Sequence, residues 1–194
     1  DHPSSFDESF ETFIQHGYAG SQGMSKTFEQ GLQEVRELCQ YFDTNRDVFR
    51  SASVKEAHVR QSLIDPFFEA LGWNVRNKPP VAPHLREVIP EDSLEVEGAQ
   101  RAADYTFRVG MTARFFVEAK KCGVNLQSDA DSAHQLRRYG WNAKVALSIL
   151  TDFEELGVYD CTIRPRPSDK ASHARILYFR YDEVPQGSPW PPRY

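Results

Sequence analysis

Between residues 103 and 120 the hydrophobic pattern of the chain changes from helical spacing to alternation, and this constrains its fold more than any other feature. Ala103, Tyr105, Phe107 and Val109 alternate with Asp104, Thr106 and Arg108, and a second alternating run extends from Ala113 to Lys120. Alternation sends successive side chains to opposite faces of a strand. Only Gly110-Met111-Thr112 separates the runs, which is the signature of a hairpin. A three-residue loop there pairs Val109 with Ala113. Carried down the ladder, the same register sets Asp104 opposite Glu118, on one face and a few ångströms apart. Lys120, two residues beyond Glu118, shares that face, whereas Phe115, Val117 and Ala119 point into the other layer.

The flanking segments supply helices and further strands. Residues 1–23 are rich in Ser, Gly, Asp and Gln and read as an extension with a short helix around Phe6 to Ile14. Phe28, Leu32, Val35, Leu38 and Phe42 recur at steps of three and four, which predicts an amphipathic helix over 25–43. A second helix is expected from Val54 to Leu71, with Ile64, Phe67, Phe68 and Leu71 on its buried side and Gly72 ending it. Residues 77–100 hold Pro79, Pro80, Pro83 and Pro90 among charges and read as a loop or short edge strands. A third helix is expected over 128–142, with Ser128 as its N-cap. Val145 to Leu150 is a continuous apolar run, the pattern of a strand buried on both faces. Leu156–Cys161 and Arg175–Tyr181 are two more strand candidates, and Pro185–Tyr194 reads as a Pro-rich tail. This order fits an α/β fold with a mixed central sheet flanked by helices.

Composition narrows the function classes. Twenty-three basic against 28 acidic residues leave a net charge of −5 over 194 residues, which disfavours a small basic module held to nucleic acid by bulk charge alone. No run of 18 apolar residues and no charged-then-apolar leader occurs, so neither a membrane span nor a signal segment is expected. Cys39, Cys122 and Cys161 are odd in number and far apart, which fits a reducing cytoplasm better than a disulfide framework. The histidines never fall at ligand spacing with a cysteine or with one another, so no zinc site is expected.

Opposed carboxylates repel and weaken a hairpin unless something offsets them. A divalent cation does so, and hard oxygen ligands suit Mg²⁺. A lysine beside such an ion can orient or deprotonate a water. The ordinary alternative is a solvated polar face on which Glu118 pairs with Lys120. Glu56 also has two readings. It stands three residues after Ser53, as the acid of a capping box does. Leu63 and Phe67, seven and eleven residues on, return to within about 20° of it, so it also ends an inward-facing stripe, where a carboxylate needs a partner. Gln135 and Tyr139 are i and i+4 on the third helix, able to position a phosphate or the lysine, or else part of a half-buried face with a core tyrosine. Arg137 and Arg138, with Lys121, Lys144 and Arg101, are candidate phosphate contacts or plain surface charges.

Asp104 followed by Glu118-Ala119-Lys120 resembles the PD-(D/E)XK nuclease signature, with Glu56 from a preceding helix and Gln135/Tyr139 as the Gln-x-x-x-Tyr element of its RecB-like branch. Glu56-Ala57-His58-Val59-Arg60, Leu63-Ile64-Asp65-Pro66 and Leu71-Gly72-Trp73 are similar to the start of the nuclease domain in type I restriction R subunits and type IIG restriction-modification enzymes. Ala102-Ala103-Asp104-Tyr105 and Ile149-Leu150-Thr151-Asp152 resemble later stretches of those domains. The resemblance covers residues 50–182. It implies a restriction-endonuclease-like nuclease domain there, after an N-terminal extension and helix over 1–49 and before a tail over 183–194.

Carried over residue by residue, the resemblance makes Asp104, Glu118 and the main-chain carbonyl of Ala119 the ligands of Mg²⁺, or of Mn²⁺ in its place. Lys120 would orient or activate the attacking water. Glu56 would support the metal shell, and Gln135 with Tyr139 would order the site around Lys120 or the phosphate. The implied reaction is hydrolysis of a phosphodiester in double-stranded DNA by a cytoplasmic enzyme. Ala103 stands where many members of the superfamily carry proline. Neither a G-x-x-x-x-G-K-[S/T] loop nor an N-P-P-Y-type motif is present, so a methyltransferase, specificity or motor function is expected in another domain or subunit. The competing expectation is a catalytically silent nuclease-like domain that binds DNA or a partner protein.

Overall fold

The computed structural model describes residues 26–96 and 99–183. The expected helix at Phe6–Ile14 and the Pro-rich tail lie outside them. Helix α1 (Phe28–Thr44) begins in a reciprocal cap, in which the Gln30 N–H donates to Thr27 Oγ1 at 3.3 Å and the Thr27 N–H donates to Gln30 Oε1 at 2.9 Å. A short helix α2 (Arg46–Phe49) follows. The second expected helix is a composite of α3 (Glu56–Val59), a π-helical turn (Arg60–Ile64) and α4 (Asp65–Ala70). Pro66 in α4 has no N–H to return to the preceding turn, and the widened π turn lies directly before it. The composite ends at Gly72, whose φ of +94° closes a Schellman-type cap with the Trp73 N–H on the Phe68 carbonyl.

Six strands form one sheet in chain order: β1 (Val88–Val96), β2 (Ala99–Val109), β3 (Thr112–Ala119), β4 (Leu147–Thr151), β5 (Glu155–Asp160) and β6 (Arg175–Arg180). All neighbours are antiparallel except β3 and β4, which run parallel because helix α5 (Ala130–Ala143) carries the chain across between them. The sheet is mixed and flanked by helices, as the element order predicts, and is compatible with a restriction-endonuclease-like fold.

The two faces carry separate cores. On one, Val59, Leu63 and Phe68 of the composite helix and Val35, Phe42 and Phe49 of α1 and α2 pack with Phe107, Phe115 and Val117. Phe107 and Phe115 stack at 4.4 Å, with Trp73 edge-on to both. On the other face Leu136 and Tyr139 of α5 cover Phe116 and Leu150. Gly140 lets α5 approach this closely, since a Cβ there would stand 2.5 Å from Cys161 Sγ. Among the described residues no helix is long and apolar enough to cross a membrane.

Several local expectations change. The hairpin loop has two residues, Gly110 and Met111, with Val109 facing Thr112, and Gly110 takes the positive φ that such a tight turn requires at its first position. A bulge at Arg114 then restores the register, so that Phe107 faces Phe115 and Tyr105 faces Val117. Residues 88–96 form a nine-residue strand, and Pro90 is tolerated because β1 is at the sheet edge. Asp129, not Ser128, caps α5, accepting from the Ser132 N–H at 3.0 Å. Ala103 packs with the α5-side core instead of alongside Tyr105 and Phe107; Glu91, between the Pro90–Tyr105 and Asp92–Ala103 pairs, has φ +50° and breaks the regular pleat there.

Candidate active site

The restored register decides the geometry of the carboxylates. Asp104 lies one residue past the Tyr105–Val117 pair and Glu118 one residue past its partner, so the two meet at the end of the β2–β3 ladder. The Ala119 N–H donates to Asp104 Oδ2 at 2.7 Å, and this bond ties the two strands at that point. Lys120 Nζ donates to Glu118 Oε1 at 2.8 Å, while its own N–H holds the Thr151 carbonyl of β4 at 2.9 Å. The side chains of Glu118 and Asp104 are only 9% and 17% exposed.

Glu56 enters from the first residue of α3. The Ser53–Glu56 capping box is not formed: Ser53 Oγ bonds Ser51 Oγ at 2.8 Å, and it is His58 Nδ1 that accepts the Lys55 N–H. Of the two readings of Glu56, the helix-capping one therefore falls away. Its half-buried carboxyl is instead coupled electrostatically to Asp104, Lys120 and Arg60. Arg60, one turn on, donates through Nη1 to Asp104 Oδ1 at 3.3 Å and through Nε to the Tyr105 hydroxyl at 3.2 Å. Sequence spacing did not single out Arg60 as a site residue.

Charge at this cluster is unbalanced. Burial pushes the Glu118 carboxyl above its ordinary range; Asp104 and Glu56 push the same way, against the pull of Lys120. Burial, then Asp104, does the same to Glu56. Lys120 loses from burial but gains more from Glu118, Glu56 and Asp104, so its ammonium is held above the usual lysine range. Glu56, Asp104 and Glu118 thus share Lys120 and Arg60, and Arg60 is drawn on by Glu91 as well, at 3.3 Å. Among the described residues no group of three or more His, Cys, Asp or Glu side chains is gathered closely enough to enclose a metal by itself.

Gln135 and Tyr139 are brought together, the amide donating to the phenol oxygen at 3.0 Å, with Tyr139 buried in the α5-side core. Their hydrogen bond is to each other, and Lys120 gives its own to Glu118. Arg137 is not a surface charge. It is 1% exposed and binds Asp169 at 2.8 Å and the Ile163 carbonyl at 3.3 Å, which secures the segment after β5. Lys144 lies over the Trp141 ring at 4.9 Å. Arg101 has no described side chain.

Over 153 residues, 78% of its length, the chain is 32% identical to RM.Eco57I of Escherichia coli, described as a type II restriction enzyme and methyltransferase. This chain is similar to a part of a restriction-modification enzyme. It spans 15% of that relative's length. No protein-family model and no solved structure matches it.

Proposed function

We propose that the chain is a Mg²⁺-dependent DNA endonuclease domain of a restriction-modification enzyme, in the PD-(D/E)XK superfamily and its RecB-like branch. The observation that carries this reading is the partly buried, electrostatically unbalanced cluster of Glu56, Asp104 and Glu118 beside Lys120. The relative's description as a restriction enzyme supports it. Because the chain spans only a small part of that relative, we assign methylation, sequence specificity or translocation to another domain or subunit.

The donor set fits Mg²⁺, or Mn²⁺ in its place. That ion needs one or two protein carboxylates and keeps several waters, so Asp104, Glu118 and the Ala119 carbonyl suffice without an all-protein cage. When bound, it supplies positive charge to a scissile phosphate. The protein's own groups do the rest. Ala119 N–H and Arg60 hold the two oxygens of Asp104 in place. Lys120, protonated at neutral pH, orients the attacking water and stabilises charge on the phosphoryl oxygens in a low-dielectric setting. Its carboxylate neighbours make it a better electrostatic group than a base. Glu56 supports the ligand shell, and the Gln135–Tyr139 pair stiffens the face of α5 toward the sheet.

Nicking of supercoiled plasmid with Mg²⁺ or Mn²⁺ tests this, with Asp104→Ala and Lys120→Ala as comparisons. Loss of cleavage in both variants is expected. Cleavage that survives both removes the assigned site. Duplex binding without cleavage at any divalent concentration supports the silent nuclease-like fold instead.

A further inference from the structure

We infer that Arg60, Tyr105 and Asp65 form a clamp that positions Asp104 for a divalent cation. Tyr105 follows Asp104 on β2 and its ring is buried. Its hydroxyl donates to Asp65 Oδ1 at 2.6 Å and accepts from Arg60 Nε at 3.2 Å. The Arg60 guanidinium also lies over the Tyr105 ring, 4.8 Å from its centre, and extends Nη1 to Asp104 Oδ1 and to Glu91 Oε1, each at 3.3 Å. With the Ala119 N–H on Oδ2, both oxygens of Asp104 are then oriented by protein donors. A carboxylate offers about four lone-pair positions, so these bonds leave room for a metal.

The π turn builds this clamp. Arg60 and Asp65 stand at its two ends, joined by the Asp65 N–H on the Arg60 carbonyl. In a regular α-helix residues five apart face about 140° away from each other. The wider turn stacks them, so both reach one hydroxyl. Partners of this kind, one bond removed from the ion, commonly govern metal affinity about 10- to 100-fold.

The inference rests on the proposed metal role of Asp104, so the test reads binding as well as cleavage. Mn²⁺ is titrated calorimetrically into the full chain and into Tyr105→Phe, Asp65→Asn, Arg60→Gln and Arg60→Lys, with thermal melts in EDTA to confirm folding. Tyr105→Phe keeps the ring and every charge; its Mn²⁺ affinity is expected to fall about 3- to 10-fold, with a matching rise in the Mn²⁺ needed for half-maximal nicking. Arg60→Gln is expected to lose more, and Arg60→Lys to recover part of that loss. If Arg60 merely competes with the ion as a charge, Arg60→Gln tightens Mn²⁺ and Tyr105→Phe leaves it unchanged, which overturns the clamp. Equal affinity in all folded variants overturns it while the metal reading stands. A native chain that takes up no Mn²⁺ removes the metal reading and the clamp together. Should Arg60→Gln not fold, Tyr105→Phe decides alone.

Discussion

Glu118 at the end of β3 and Glu154 in the β4–β5 turn are both buried carboxylates, and the protein treats them in opposite ways. Glu154 receives three guanidinium groups: Arg46 at 2.7 Å, Arg50 at 3.0 Å and Arg180 at 3.2 Å. Its ion pairs join α2 to the last strand and to the turn. Glu118 has one lysine at 2.8 Å and faces two further carboxylates. A buried charge is retained at low cost only when it is paired. Over-compensation at Glu154 marks an architectural joint, and under-compensation at Glu118 is what the proposed cation site requires. Asp152 prevents the simpler rule that any buried acid without a cation is functional. It is fully buried, yet the Glu155 and Gly123 N–H groups satisfy its two oxygens at 2.7 and 3.2 Å.

The largest effects expected from this contrast are on chemistry. Lys120→Met should lower plasmid cleavage by about 10²- to 10⁴-fold, the range for a positioned proton-transfer or charge-stabilising group, with little change in circular dichroism. Glu118→Gln should abolish cleavage equally. Because it removes a repelled, buried charge, the metal-free melting temperature should stay unchanged or rise. A clear fall in that temperature would mean that Glu118 is an architectural ion pair like Glu154.

Glu154→Gln is the reciprocal experiment. It should destabilise the fold by about 2 kcal/mol, toward the low end for breaking a buried pair because the arginines remain partly solvated, as read by urea unfolding. Cleavage per folded molecule should be unaffected. Loss of cleavage without loss of stability would move Glu154 into the functional cluster.

The third effect concerns pH and separates burial from function. Burial is the main cause that lifts the Asp152 carboxyl from an ordinary 3.8 to about 7. A carboxyl raised in the folded state binds its proton more tightly there than in the unfolded chain. Its stabilising contribution is therefore complete below the unfolded pKa and is lost as pH rises through the folded one. Metal-free stability should decline between about pH 4 and pH 7, and Asp152→Asn should flatten that slope. Glu118 and Glu56, also raised by burial, contribute with the same sign, but only their share should be offset by added Mg²⁺. A slope that Mg²⁺ removes entirely would assign the whole effect to the site.

How much of this was legible in the sequence follows from which interactions are local. The alternation of Phe115 and Val117 against Phe116 and Glu118 set the faces of β3 correctly, because the pleat depends on neighbours alone. The three-residue loop expected from the spacing is one residue longer than the Gly110-Met111 turn, and the bulge at Arg114 cancels that difference before it reaches Asp104. No pattern distinguishes a bulged arginine from one in register within an alternating run. Ser128 and Asp129 are adjacent candidate caps of similar strength, so the start of α5 was uncertain by one position. The clamp on Asp104 was illegible because it needs a π turn, which periodicity at 3.6 residues cannot register. The joint at Glu154 draws on residues 46, 50 and 180, and their convergence exists only once the sheet is assembled.

The smallest expected effect sharpens the comparison most. Arg50→Ala should cost about 0–1 kcal/mol, because Arg50 is 45% exposed and Glu154 keeps Arg46 and Arg180. Redundancy is what an architectural joint with three partners provides. Lys120 has no such understudy: with it gone, Glu118 stands beside Asp104 and Glu56, and Arg60 is already engaged by Asp104, Tyr105 and Glu91. The two lost cations are therefore expected to differ in kind. Removing Arg50 should leave both stability and cleavage near the native values, and removing Lys120 should abolish cleavage and also cost stability, because it leaves the buried Glu118 without its one cation. If Arg50→Ala proved as damaging to cleavage as Lys120→Met while the melting temperature held, the arginines around Glu154 would belong to the nucleic-acid surface. The separation of joint from site would then fail.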